Sequence, residues 1–204
     1  MKTSPILVAL LLSACGTTTL QSPVFDIKPV APNTTNDLTL EFAQDPSLDY
    51  TVNWLQDGTG RADFSGGNTL TIPAEETSRG EVWSAVVVTT RNNLYSEPVR
   101  VSVTIGNSAP EKPVLSFTPS APTSSQSLRI HATAEDSDGD AVSFSYQWFK
   151  DDNPQPEFTE ASVDASATRS GETWEAVVIA SDGVFSSEAA SLDTTIDNTP
   201  PEIY

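Results

Sequence analysis

The chain repeats itself, and the repeat limits what it can fold into. Pro23, Pro29, Pro32 and Leu38 recur 90 residues later as Pro113, Pro119, Pro122 and Leu128. Trp54-Leu55-Gln56-Asp57 recurs as Trp148-Phe149-Lys150-Asp151, 94 residues on. Arg79-Gly80-Glu81-Val82-Trp83 is answered 91 residues on by Ser170-Gly171-Glu172-Thr173-Trp174. Ser96-Glu97 returns as Ser187-Glu188, and Ile105-Gly106-Asn107-Ser108-Ala109-Pro110 as Ile196-Asp197-Asn198-Thr199-Pro200-Pro201. Landmarks in one order at a nearly constant offset mark a duplicated unit. The second copy gains about four residues before its first Trp and loses about three after it.

Within each copy the apolar period is two, which is the strand signature. Val142, Phe144, Tyr146 and Trp148 alternate with Ser143, Ser145 and Gln147. Leu38, Leu40 and Phe42 do the same, as do Val99, Val101, Val103 and Ile105, and Trp174, Ala176, Val178 and Ala180. Each pattern sends apolar side chains to one face, as in an antiparallel sheet with one wet face. Asn92-Asn93 and Asp182-Gly183 stand between such runs and tolerate the positive φ of a tight hairpin. No stretch carries a sustained helical stripe. The expected fold class is all-β, with about seven short strands in roughly 90 residues and a Trp on the third.

These units resemble the immunoglobulin-like repeats of bacterial surface and secreted proteins, in the style of fibronectin type III, PKD and cadherin-like modules. The resemblance rests on the Pro-rich start, the Asp136-Ser137-Asp138-Gly139-Asp140 loop, Trp148, Gly171-Glu172-x-Trp174, Asp182-Gly183 and Asn198-Thr199-Pro200-Pro201. It implies two tandem β-sandwiches, residues 23–106 and 114–198, a Pro-stiffened linker at 107–113 and a tail at 199–204. It implies little about function, since such folds serve many proteins. Antibody-type domains join two strands by a disulfide. Here Cys15 is the only cysteine, so no such bridge forms, and Trp54, Trp83, Trp148 and Trp174 are expected to fill that space.

Cys15 has its own context. A charged start at Lys2 and an apolar run from Ile6 to Leu12 lead into Leu12-Ser13-Ala14-Cys15-Gly16. The run is too short to cross a bilayer, which takes about 20 helical residues. The arrangement resembles the signal peptide and lipobox of a bacterial lipoprotein. The resemblance implies removal of residues 1–14, lipidation of Cys15 and a tether at 15–22. The membrane is then a partner, through the lipid. Gly16, where Asp would signal retention at the inner membrane, favours the outer membrane, facing the periplasm or the cell surface.

The net charge of −18 argues against nucleic-acid partners, whose phosphates demand a basic surface. Residues 16–110 hold 11 acidic and 5 basic residues, net −6, while residues 111–204 hold 17 and 4, net −13. Such charge reads as a solvated surface or as a site for cations. Asp136, Asp138 and Asp140 are the sharpest local signal, because alternate carboxylates around a glycine can converge on Ca²⁺. An EF-hand needs Gly at 141 and Glu at 147, where this chain has Ala141 and Gln147. The other reading is an acidic turn chosen for its geometry. The first copy offers only Asp45 and Asp49 there.

His131, the only histidine, is expected to face solvent from the strand Leu128–Ala132. One His and a lipidated Cys leave no ordinary zinc site or Ser-His-Asp triad. Phe149, Tyr95 and Phe185 are candidate glycan-stacking aromatics, with core or satellite packing the more usual fate of each. The expected function is non-enzymatic: a lipid-anchored envelope protein whose modules act as a spacer or as a protein- or glycan-binding surface. The alternatives are a Ca²⁺-dependent adhesion or carbohydrate-binding module, and an accessory subunit of a secreted hydrolase.

Overall fold

Alternating apolar residues become paired sheets in each half of the chain. The computed structural model describes residues 19–67 and 69–200. Cys15, the signal at 1–14 and residues 201–204 lie outside them. The chain divides into two compact units, Met1–Asn107 and Ser108–Tyr204. The fold is all-β; its only helical segments among the described residues are single 3-10 turns at Ala62–Phe64, Ala74–Glu76 and Ala165–Ala167.

The first unit holds β1 (Phe25–Lys28), β2 (Leu38–Phe42), β3 (Asp49–Gln56), β4 (Thr59–Gly60), β5 (Thr71–Ile72), β6 (Val82–Arg91), β7 (Leu94–Tyr95) and β8 (Val99–Thr104). One sheet runs β1-β2-β5; the other runs β4-β3-β6-β7, with β8 also paired to β6. Every pairing between these strands is antiparallel. The inward faces meet in a core of Phe25, Ile27, Leu38, Leu40, Val52, Trp54, Ile72, Trp83, Ala85, Val87 and Ile105.

The second unit holds β9 (Val114–Thr118), β10 (Leu128–Thr133), β11 (Ser143–Lys150), β12 (Asn153–Pro154), β13 (Ser162–Val163), β14 (Thr173–Ser181) and β15 (Ala190–Thr195). Its sheets are β13-β10-β9 and β12-β11-β14-β15. Its core gathers Phe117, Leu128, Ile130, Trp148, Val163, Trp174, Ala176, Val178 and Ile196.

All four tryptophans are fully buried. Trp54 and Trp83 meet edge to face at 6.5 Å, and Trp148 and Trp174 at 6.3 Å. Each unit thus places two indoles across its centre, an arrangement aromatic quadrupoles favour. The length differences between the copies also find their places. The extra residues before Trp148 form the acidic loop between β10 and β11. The residues missing afterwards correspond to the region of the first unit's 3-10 turn, where Phe64 packs on Trp83 at 6.4 Å. Phe158 serves Trp174 in the same way at 5.7 Å.

Two segments read from sequence as connections are fastened down. Leu20, in the tether at 15–22, forms a parallel bridge with Ser96. In the stretch 107–113, residues from Ser108 onward belong to the second unit. Ser108 is buried and gives its N–H to the Asp138 carboxylate at 2.6 Å, and Glu111 N–H reaches the Glu135 carbonyl at 2.9 Å. The reason is physical: a backbone N–H withdrawn from water needs a protein acceptor in its place.

Candidate functional site

Most of the repeated landmarks hold the fold. Asp57 and Asp151 each cap the start of the neighbouring strand, accepting the N–H of Val82 and of Thr173 at 2.9 Å. Glu81 Oε2 accepts the Trp83 indole N–H and the Ser78 N–H, both at 2.9 Å. Glu172 Oε2 does the same for Trp174 at 3.1 Å and Arg169 at 2.9 Å. Gly80 and Gly171 sit at φ +89° and +88°, as this turn requires, and donate to the carbonyls of Ile105 and Ile196. Ser96 and Ser187 accept the N–H of Thr89 and of Ala180 at 3.0 Å, closing the last hairpin of each unit. Residues with these duties in both copies are framework. A function particular to one unit is better sought where the copies differ.

The largest difference is the loop between β10 and β11. Asp136 turns it: its carbonyl accepts the Gly139 N–H at 3.0 Å, and its Oδ1 accepts the Asp138 N–H at 2.8 Å. Gly139, at φ +75°, allows the reversal. The loop brings carboxylate oxygens of Asp136, Asp138 and Asp140 within 4.8 Å of one another. An ion bound at about 2.3–2.6 Å from each ligand needs oxygens no farther apart than roughly twice that distance. The three therefore fit around one Ca²⁺. Among the described residues, three buried side-chain oxygens lack a hydrogen-bond partner: Ser22 Oγ, Thr89 Oγ1 and Asp136 Oδ2. Only the last belongs to a carboxylate, and a desolvated carboxylate oxygen is costly unless a cation or donor meets it.

The first unit has no such loop. Asp45 closes a short turn instead, accepting the Ser47 N–H at 2.9 Å and its hydroxyl at 2.7 Å. Those bonds, the backbone one first, hold the Asp45 carboxyl below its ordinary value. Asp49 lies on β3, paired with Thr90.

His131 is exposed, on the outer face of β10. The three aromatics separate. Phe149 is half-buried on β11. Tyr95 and Phe185 are 65% and 48% exposed, so packing is not their fate. Each follows an exposed aliphatic residue, Leu94 or Val184, in a hairpin that turns back to solvent before it can reach a core. Sequence periodicity missed this because an apolar pair in a hairpin tip is too short to show a period.

Each unit has the architecture of an immunoglobulin-like β-sandwich. Among solved structures, the chicken interferon gamma receptor alpha chain aligns at TM-score 0.53 and 11% identity, over 87% of this chain and 98% of that one. A two-domain fibronectin type III segment of chicken tenascin aligns at 0.39 and 15%, over 85% and 98%. The fibronectin(III)-like modules of Clostridium thermocellum CbhA align at 0.29 and 19%, over 89% and 98%. No protein-family model and no curated protein matches the chain. At these identities the likeness is one of fold.

Proposed function

We propose that this is a lipid-anchored, non-enzymatic cell-envelope protein whose β-sandwiches serve as a spacer or as a binding surface for a protein or a glycan. The observation that supports it is the pattern ending in Cys15, with only residues 16–19 between that cysteine and Leu20, where the chain joins the first sandwich. Acyl chains on Cys15 would hold the sandwich at a membrane, each buried CH₂ contributing about 0.8 kcal/mol. Gly16 favours the outer membrane. Fibronectin type III-like folds commonly act as binding or spacer modules, and their ligands are set by local surfaces. Mass measurement of the membrane-extracted chain tests the anchor. The expected species begins at Cys15 and carries acyl mass, and Cys15→Ala moves the protein to the soluble fraction. A full-length chain with a free thiol would rule the anchor out.

The buried Asp136 Oδ2 favours a second reading, in which Asp136, Asp138 and Asp140 bind Ca²⁺ and the second unit works in a Ca²⁺-dependent manner. Backbone carbonyls and water would complete the six to eight oxygens. At an extracellular-type affinity of about 10⁻⁴–10⁻³ M, roughly 10 mM Ca²⁺ stabilises the unit by about 1.4–2.7 kcal/mol. A melting temperature that rises with Ca²⁺, falls back with chelator and ceases to respond in Asp136→Asn supports this reading. No response in the native chain removes it.

A further inference from the structure

We propose that one pole of the first unit, made by Val24 and the β6–β7 hairpin tip Leu94-Tyr95, docks onto the neutral interface of the bilayer that holds Cys15. The proposal rests on lipidation of Cys15 as read above.

These side chains are 84%, 44% and 65% exposed. The hairpin is tight: Arg91 pairs with Leu94 and Thr90 with Tyr95 around Asn92 and Asn93, at φ +50° and +65°. That two-residue turn fixes where the tip points. Ser96, the next residue, pairs with Leu20. From Leu20 back to Cys15 are five peptide steps, which span at most about 18 Å when fully extended. A lipid on Cys15 therefore keeps the tip close to the headgroups. Val24 belongs to the same pole. It precedes β1, whose first residue Phe25 is buried and packs on Tyr50 at 6.5 Å, and Tyr50 pairs with Thr89 beside the hairpin. Val24 alternates with Phe25 and faces out.

The chemistry suits a bilayer interface. Tyrosine carries an apolar ring with a polar tip and is enriched at headgroup level. The charged residues at the adjoining strand ends include Arg91, Asp45, Asp49 and Glu97, one cation against three carboxylates. Such a pole draws nothing from anionic headgroups, so the surface it fits is zwitterionic. The second unit keeps an exposed pair at Val184-Phe185, but only the first has Cys15 just upstream.

The test uses the lipidated full chain in phosphatidylcholine vesicles that contain nitroxide-labelled lipid. Lipid blocks the Cys15 thiol, so an introduced cysteine takes a fluorophore alone. Glu97→Cys reports on the pole, and Thr59→Cys on the opposite end of β3. The expected result is loss of fluorescence at 97 and not at 59, and recovery at 97 when Leu94→Ser and Tyr95→Ser are added. Equal quenching at both sites, or quenching at 97 that the double serine variant leaves unchanged, overturns the docking. So do protein adducts in place of lipid adducts from a photo-crosslinker at 97 in intact cells. Mass measurement of the same preparation separates the two failures. An acylated chain unquenched at 97 defeats the docking alone, while a chain without acyl mass defeats the anchor and the docking with it.

Discussion

Trp148 sits at the centre of the second unit's core. Its indole is 1% exposed, packs on Phe117 and Trp174, and sends its N–H to the Glu160 carbonyl at 2.9 Å. Trp54 makes the equivalent bond to Thr69 at 2.9 Å. Truncating a buried aromatic costs about 3–5 kcal/mol, so Trp148→Ala should lower the unfolding free energy of its unit by that much in urea titration. Trp148→Phe keeps most of the apolar contact and leaves the Glu160 carbonyl unpaired, for a smaller loss of about 1–3 kcal/mol. Tyr146, on the same strand, has its hydroxyl held above the ordinary value by burial and then by Glu160. The folded state keeps this proton better than the unfolded one. The stability it contributes is therefore present below the unfolded pKa of about 10 and is lost as pH rises through the folded value. Tyr146→Phe should flatten that alkaline decline in a pH series of melting curves.

At the scale of the elements, the turn before β14 depends on Glu172. One carboxylate oxygen serves both the Arg169 N–H and the Trp174 indole, and Lys150 stands 3.6 Å from the other oxygen. Glu172→Ala leaves a buried indole donor and a turn N–H unmet. It should cost about 1–3 kcal/mol, while Glu172→Gln, which keeps an acceptor there, should cost less by the same unfolding measurement. This turn was legible in the sequence as a recurring Gly-Glu-x-Trp, though its wiring was not. Periodicity reads strands well where apolar and polar residues alternate over four or more positions, as in β2, β11 and β14. It reads nothing from β4, β7 or β12, two residues each, whose existence depends on a partner strand. The acidic loop was visible because its charges are local in sequence. The convergence of its oxygens was not, because it depends on the fold of the Asp136–Gly139 turn. Nor was the attachment of Ser108 to Asp138, thirty residues away. Exposure of Leu94 and Tyr95 was hidden for a similar reason: an apolar pair says nothing of what covers it.

For the molecule as a whole, the two cores draw on separate residues. The cluster of the first unit ends at Ile105 and that of the second begins at Phe117. Their surfaces also differ in charge, −6 for residues 16–110 against −13 for 111–204. Like charges on one compact body repel, and that repulsion destabilises the folded state. Salt weakens it, shortening the Debye length from about 30 Å at 0.01 M to about 8 Å at 0.15 M. Repulsion grows roughly with the square of net charge, so the second unit should gain several times more from this change than the first. Trp148→Ala identifies its transition, because the cavity lies in that core alone and substitutions without shared partners add independently. Calorimetry of native chain and variant at both ionic strengths is the check. The transition that the variant lowers should be the one that NaCl raises more, in Ca²⁺-free buffer so that no cation at Asp136 contributes. Equal salt shifts of the two transitions would show that the acidic excess is held far enough apart to be screened by water alone.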